Sequence, residues 1–219
     1  MANETRIPDV IKSLTWIFED PNWVRPYVIG AILGIIPIVQ LMPMGYSLLV
    51  MKDALEGQPP RLRDWEGMWG ETFLLGLKAL CLMLLYAIPA LVIVLFLTLS
   101  HAGIAAAAMM LLVLILVSLV SPLAVGRMLL EDSFAAGLAL TEILGDLQRA
   151  PGTYFATLAI SLGISFAFVV LTAIPVLGWI LLLAGNFAFS LWIFVLWGTV
   201  AGPLLHPPAP ETPAPNQPF

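Results

Sequence analysis

Two uninterrupted apolar runs limit this chain more than anything else in it. Residues Phe73–Leu99 (FLLGLKALCLMLLYAIPALVIVLFLTL) contain one charged residue, Lys78, and Ile104–Val125 contains none. A helix needs roughly 20 mostly apolar residues to cross the hydrocarbon core of a bilayer, about 30 Å thick. Both runs are long enough. A soluble domain averages about 25% charged residues; here the figure is 11%, against 60% hydrophobic. The solvent of this fold is therefore lipid. The predicted class is all-α, a polytopic transmembrane helical bundle.

Composition also narrows function. The net charge is −5 with nine Lys and Arg in total, which leaves no basic patch for nucleic acid. The single cysteine, Cys81, lies inside an apolar run and has no internal partner for a disulfide. The start, MANETRIPDVIKSLTWIFED, is polar and acidic and lacks the basic-then-apolar order of a signal peptide. The first apolar segment is thus expected to stay in the mature protein.

Residues 9–19 predict a short amphipathic helix. Val10, Leu14, Ile17 and Phe18 fall on one side, Lys12, Thr15 and Glu19 on the other, and Asp20-Pro21 ends it. It is too short to span but suits the headgroup layer, with Trp16 and Trp23 at that depth. A second amphipathic element is expected over 127–152. There Glu142, Asp146 and Arg149 form a narrow wet edge, while Phe134, Leu138, Leu140, Ile143, Leu144 and Leu147 cover the rest. Between the two lies the polar loop 57–71, with Trp65 and Trp69 placed at the interface. Full spans are predicted at 73–99, 104–125, 153–173 and 178–204. They make one integral membrane domain over 1–204, followed by a disordered Pro/Ala-rich tail over 205–219.

Residues 24–51 admit two readings. The segment is apolar but broken by Pro26, Gly30, Gly34, Pro37, Gln40, Pro43 and Gly45. It forms either one kinked span or a helical hairpin turning in IPIVQLMP. Charge favours the hairpin. The basic residues are Arg6, Lys12, Arg25, Lys52, Arg61, Arg63, Lys78, Arg127 and Arg149, and the connections SHAG (100–103) and IPVLG (174–178) contain none. Only a proline-broken N-terminal hairpin puts every basic segment on one side, which the positive-inside rule makes cytoplasmic. The expected location is therefore the cytoplasmic membrane, with the N-terminus and the charged loops inside. A faint internal echo accompanies this. In each half an amphipathic helix ends at a proline, an aromatic follows, and an apolar run leads to an Ile-Pro turn. Such echoes occur in transporter repeats and also arise because membrane chains reuse proline turns.

The order FEDPNW, GAILGIIPIV, GYSLLVMKDALEG, a proline-containing loop with DWEGMW, and then EILGDLQRAPGTYF resembles an uncharacterised family of prokaryotic membrane proteins, domain-of-unknown-function family 4013. The resemblance covers about residues 9–200 and is weakest in the last span. It implies a multi-helix membrane protein and carries no catalytic residue, cofactor or metal.

Polar groups inside a membrane are the first place to look for function, because burying them is costly. Three stand out. Lys78 either lines a pathway or snorkels to the headgroups beside Glu71, with snorkelling the stronger reading. Gln40, between two prolines, either lines a polar cavity or pairs with the hairpin's own open backbone. Asn186 either bonds across helices or meets a ligand, and packing is favoured. His101 and His206 fall on opposite sides and make no metal site. Glu131, Asp132, Glu142 and Asp146 could hold Mg²⁺ but read better as a wet helix edge. Ser161, Ser165 and Thr172 are expected to bond their own helix. Gly76, Gly163, Gly178, Gly185 and the alanines of 102–108 suit close helix packing. G-x-S-x-G, P-loop, HExxH and CxxC motifs do not occur. The expected role is a non-enzymatic structural, accessory or assembly-type subunit, in contact with lipid and with a protein partner or further copies of itself. The alternative is a small transporter or channel with its site near the broken hairpin.

Overall fold

A computed structural model describes residues 16–100 and 103–205. Among these residues the protein is all helix and turn. Four helices are long and apolar enough to cross a membrane, and this is a multi-pass membrane protein. In chain order the elements are α1 (Val24–Leu33), α2 (Leu41–Leu55), α3 (Trp69–Leu99), α4 (Gly103–Leu130), a 3₁₀ turn (Ala136–Leu138), α5 (Leu140–Arg149), α6 (Pro151–Thr172) and α7 (Leu177–Leu205). Residues 9–15 of the expected N-terminal amphipathic helix, both histidines and residues 206–219 of the expected tail lie outside the described residues.

Residues 24–51 are broken, as the prolines demand. α1 stops at Leu33, seven residues turn, and α2 starts at Leu41 with Gln40 as its N-cap. The chain reverses here. Trp65 donates from Nε1 to the carbonyl of Pro26 in α1 at 2.8 Å and stacks on Tyr46 in α2, ring centroids 4.6 Å apart. The two limbs of the hairpin thus meet the same indole. The hairpin's tip meets α7 near Asn186, about 30 Å along that helix from Leu205 at 1.5 Å per residue. Both α7 and α3 run on past the tip, so the hairpin enters the bundle without crossing it.

Backbone broken at such a depth must find partners without water. Most of the turn's amides do so within the turn. Gly34, Ile35, Ile36, Gln40, Leu41 and Met42 all donate to carbonyls three or four residues back. Ile38 adopts φ 72° to let the chain double back.

α2 is the centre of the bundle. Two close crossings hold it, both made by glycine. Gly45 and Gly76 face each other's helix so closely that a Cβ on Gly45 would strike the carbonyl of Thr72, and one on Gly76 the carbonyl of Leu41. On the opposite side a Cβ at Gly198 of α7 would come within 2.7 Å of the Met51 carbonyl. Small residues at crossings let backbones approach, and this drives helix association where lipid removes the hydrophobic incentive. Gly163 has open space around it, and Gly178 faces the end of its own loop at Thr172. Of the glycines expected at crossings, Gly76 makes one.

All four tyrosines of the chain donate to a main-chain carbonyl far away in sequence. Tyr27 reaches Ala184, in a π-helical stretch of α7 (Leu181–Gly185). Tyr46 reaches Arg63 in the polar loop, Tyr86 reaches Gly137 in the 3₁₀ turn, and Tyr154 reaches Leu119, a turn before Pro122 inside α4. Three of the four acceptors lie where the backbone is not α-helical, so tyrosine hydroxyls serve these irregular stretches in place of water.

Two placements depart from expectation. The indole of Trp65, expected against headgroups, is 1% exposed and covered by protein, while that of Trp69 is exposed. Trp16 and Ile17 are buried with Tyr46, Trp65, Phe187 and Leu191, whereas Phe18 is exposed and packs edge-on against Trp23. The physical reason is common to both. The polar loop folds back along the hairpin and forms an aromatic core at the charged end, which takes in indoles that a linear reading assigns to headgroups.

Candidate functional site

The three polar intramembrane residues separate into two places. Gln40 and Asn186 come together. They line one cavity of about 290 Å³ between α1, the start of α2, α3 and α7, with Ala31, Pro43, Leu80, Leu183 and Ser190. Leu80, Leu182 and Leu183 on its rim are exposed, so the cavity opens sideways between helices. Its location follows from local sequence. The turn at Pro37 ends α1 early, which opens a gap above α2, and the π-helical stretch Leu181–Gly185 shifts the face of α7 just before Asn186.

The chemistry of this crevice is neutral and polar. Gln40 makes no side-chain cap hydrogen bond; main-chain bonds serve the turn instead. The expectation that its amide would satisfy the turn is therefore corrected, because the 3₁₀-type bonds leave little for it to do. Neither the Gln40 nor the Asn186 amide has a hydrogen-bond partner among the described residues. Deeper in, Ser190 Oγ donates to Ser47 Oγ at 3.0 Å and Ser47 Oγ donates to the carbonyl of Pro43 at 2.9 Å. Each primary amide offers two donors and an acceptor. The crevice thus presents amide groups to whatever enters from the side, with no ionisable group on its wall.

Lys78 lies elsewhere. It lines a cleft of about 110 Å³ at the charged end, with Lys52, Glu71 and Asp132. Glu71 shares the cleft, as the seven-residue spacing suggests, but forms no ion pair with Lys78 among the described residues.

The acidic cluster has an organisation that sequence reading missed. Asp146, assigned to a wet edge, is 1% exposed. It accepts from Arg127 Nε at 2.6 Å and from Arg149 Nη1 at 2.7 Å. Glu142 and Glu131 also pair with Arg127, and Arg149 donates onward to the carbonyl of Leu204 at 3.0 Å. Three of the four acids therefore clamp one arginine and tie α4, α5 and the end of α7 together. The signal was present: Arg127 closes a run of more than twenty apolar residues and has to be neutralised there. No group of three or more His, Cys, Asp or Glu side chains is arranged to hold a metal among the described residues. Ser161 and Ser165 bond their own helix backbone, as expected, and so does Thr172.

The Ile-Pro echo has a structural counterpart. Ile38 follows Pro37 with φ 72°, and Val176 follows Pro175 with φ 68°. In both halves an Ile-Pro turn places a β-branched residue where glycine is the usual choice.

Comparison with curated proteins and with solved structures gives no significant match. A family model does match, over residues 28–197. That stretch runs from α1 to the last turns of α7 and contains the hairpin, the crevice and the Arg127 clamp. The chain therefore belongs to the family described as protein of unknown function (DUF4013).

Proposed function

We propose that this protein is a non-enzymatic accessory or assembly subunit of the cytoplasmic membrane, and that it receives a polar side chain of a partner's transmembrane helix in the crevice lined by Gln40 and Asn186. One observation carries this reading: two primary amides, neither partnered among the described residues, face a laterally open gap between helices. Amides exposed to hydrocarbon are costly, and across helices such groups contribute about 1 kcal/mol per hydrogen bond. A partner helix carrying Asn, Gln, Ser or Thr satisfies both amides at once.

The test is a photo-crosslinking residue at Leu183, on the crevice rim, activated in native membranes. One defined protein adduct that is lost in Gln40→Leu/Asn186→Leu supports the reading. Adducts to lipid alone overturn it.

We assign the charged end to the cytoplasm because the basic residues of the described chain, Arg25, Lys52, Arg61, Arg63, Lys78, Arg127 and Arg149, lie in or beside the segments that meet there. An Arg61→Cys variant in a Cys81→Ala background should resist membrane-impermeant thiol reagents added from outside. Strong labelling would reverse the orientation.

A second reading, transport, draws on the broken helix with its cavity inside the bundle, a placement common to solute carriers. Against it, the crevice wall carries no charge for a coupling ion. Solute flux in proteoliposomes that is abolished by Gln40→Leu would favour transport.

A further inference from the structure

Four of the five described arginines differ from the two described lysines in their pairing, while Arg61 is in no ion pair among the described residues. Arg25, Arg63, Arg127 and Arg149 each pair with at least one carboxylate. Lys52 and Lys78 pair with none among the described residues, although both line the same cleft as two acids, Glu71 and Asp132. Lys52 comes from the last turn of α2 and Lys78 from the third turn of α3. Asp132 is brought in by a left-handed turn, φ 46°, just after α4, which also folds Ser133 and Phe134 against the cleft. The lining between the charges is apolar: Leu49, Leu75, Met128 and Leu129. Two ammonium groups and two carboxylates therefore surround one opening without cancelling each other.

We propose that this cleft binds the headgroup of a phosphoethanolamine lipid. The phosphate faces Lys52 and Lys78, and the lipid's ammonium faces Glu71 and Asp132. Charge arithmetic selects this occupant. The lining sums to zero, and its two lysines and two acids form no ion pair with one another among the described residues, which leaves both signs available to a zwitterion. An anionic glycerophospholipid satisfies the lysines but brings no cation to the two carboxylates. A phosphocholine lipid has the right charges but no N–H to donate. The apolar lining suits the glycerol and first acyl methylenes.

The experiment is native mass spectrometry of the full chain, with phosphatidylethanolamine, phosphatidylglycerol and phosphatidylcholine of identical acyl chains supplied in equal amounts. Wild type should retain phosphatidylethanolamine over both others. Lys52→Met and Lys78→Met should each weaken retention about fivefold, a typical effect of one basic residue on a membrane phosphate. Glu71→Gln/Asp132→Asn should shift preference toward phosphatidylglycerol. Lys52→Arg/Lys78→Arg, which keeps both charges, should preserve retention and so separates loss of the site from loss of the fold. Several results would overturn the proposal: preference for phosphatidylglycerol or equal retention of phosphatidylcholine in wild type, unchanged retention in the lysine-to-methionine variants, or failure of the arginine variant to retain lipid. Displacement of the lipid by millimolar inorganic phosphate would also overturn it, by assigning the cleft to a free anion.

Discussion

α2 and α6 invert the usual relation between polarity and burial. α2 contains Lys52 and Asp53 and buries eleven of its fifteen residues. α6 contains no charged residue and buries three of twenty-two. In water the more apolar helix would be the inner one. In lipid the apolar helix loses nothing by standing outside, and Phe166 of α6 is 71% exposed. What brings a helix inside is close backbone contact and polar groups that require partners. α2 has both. α6 has one such polar group, Tyr154, in its first half, where its three buried residues lie.

The sharpest way to break this contrast is to give both helices the same added bulk. Gly45→Val should cost about 3 kcal/mol or prevent folding, because no side-chain shift relieves a clash with the Thr72 backbone. Gly163→Val, in open space, should leave thermal stability in detergent unchanged. Equal effects would refute the central position of α2. Next in size is the ion pair of α2. Arg63 Nη2 donates to Asp53 Oδ1 at 2.5 Å, and the Asp53 side chain is only 10% exposed. Arg63→Met should cost about 2 kcal/mol by stranding that carboxylate. By contrast Arg25→Met, at an exposed pair, should leave the unfolding temperature unmoved.

Smaller effects sharpen the picture within α6 and the loop that follows it. Tyr154→Phe removes the bond to Leu119 and should cost about 1 kcal/mol, whereas Phe166→Ala should stay within about 0.5 kcal/mol. Val176 sits at φ 68°, ψ −57° with Leu177 N donating to the Pro175 carbonyl at 2.8 Å, the strained form of a three-residue turn. Val176→Gly should therefore raise stability by about 1 kcal/mol. A drop would mean that the valine side chain holds the turn by packing. Chemical unfolding in a fixed detergent suffices for all of these.

Much of the fold was legible, because its strongest determinants are local. Apolar length fixed the four spans to within a few residues, and Pro37 with Pro43 broke the first run where the structure breaks it. Charge placement chose the hairpin, since it asks only which connections carry Lys and Arg. Pairings between distant segments were not legible. Nothing in the string DWEGMW separates Trp65, which is buried against Pro26 and Tyr46, from Trp69, which is exposed. Asp146 fell on the polar edge of an amphipathic helix, and only the arrival of Arg127 from α4 makes that edge an interior. Gln40 and Asn186 were each found alone, because helix breaks and amides in spans are visible one at a time. Their common crevice depends on a contact between α1 and α7 that no periodicity encodes. Lys78 beside Glu71 was visible as a spacing, but Lys52 enters that cleft from α2 and Asp132 from the turn after α4.

The order in which the ribosome delivers these segments sets a problem of timing. Ser190 bonds to Ser47 across 143 residues, and Tyr27 to Ala184 across 157. At about 5–20 residues per second, the N-terminal hairpin waits roughly 7–30 s for the helix that covers it. During that interval its broken backbone, Phe187's partners and the groove left for α7 are open to the insertion machinery and to lipid. Slowing synthesis between α6 and α7 would lengthen that exposure. Truncation before Leu177 should leave a hairpin that is inserted but readily degraded, because α7 is the helix that covers α1 and α2.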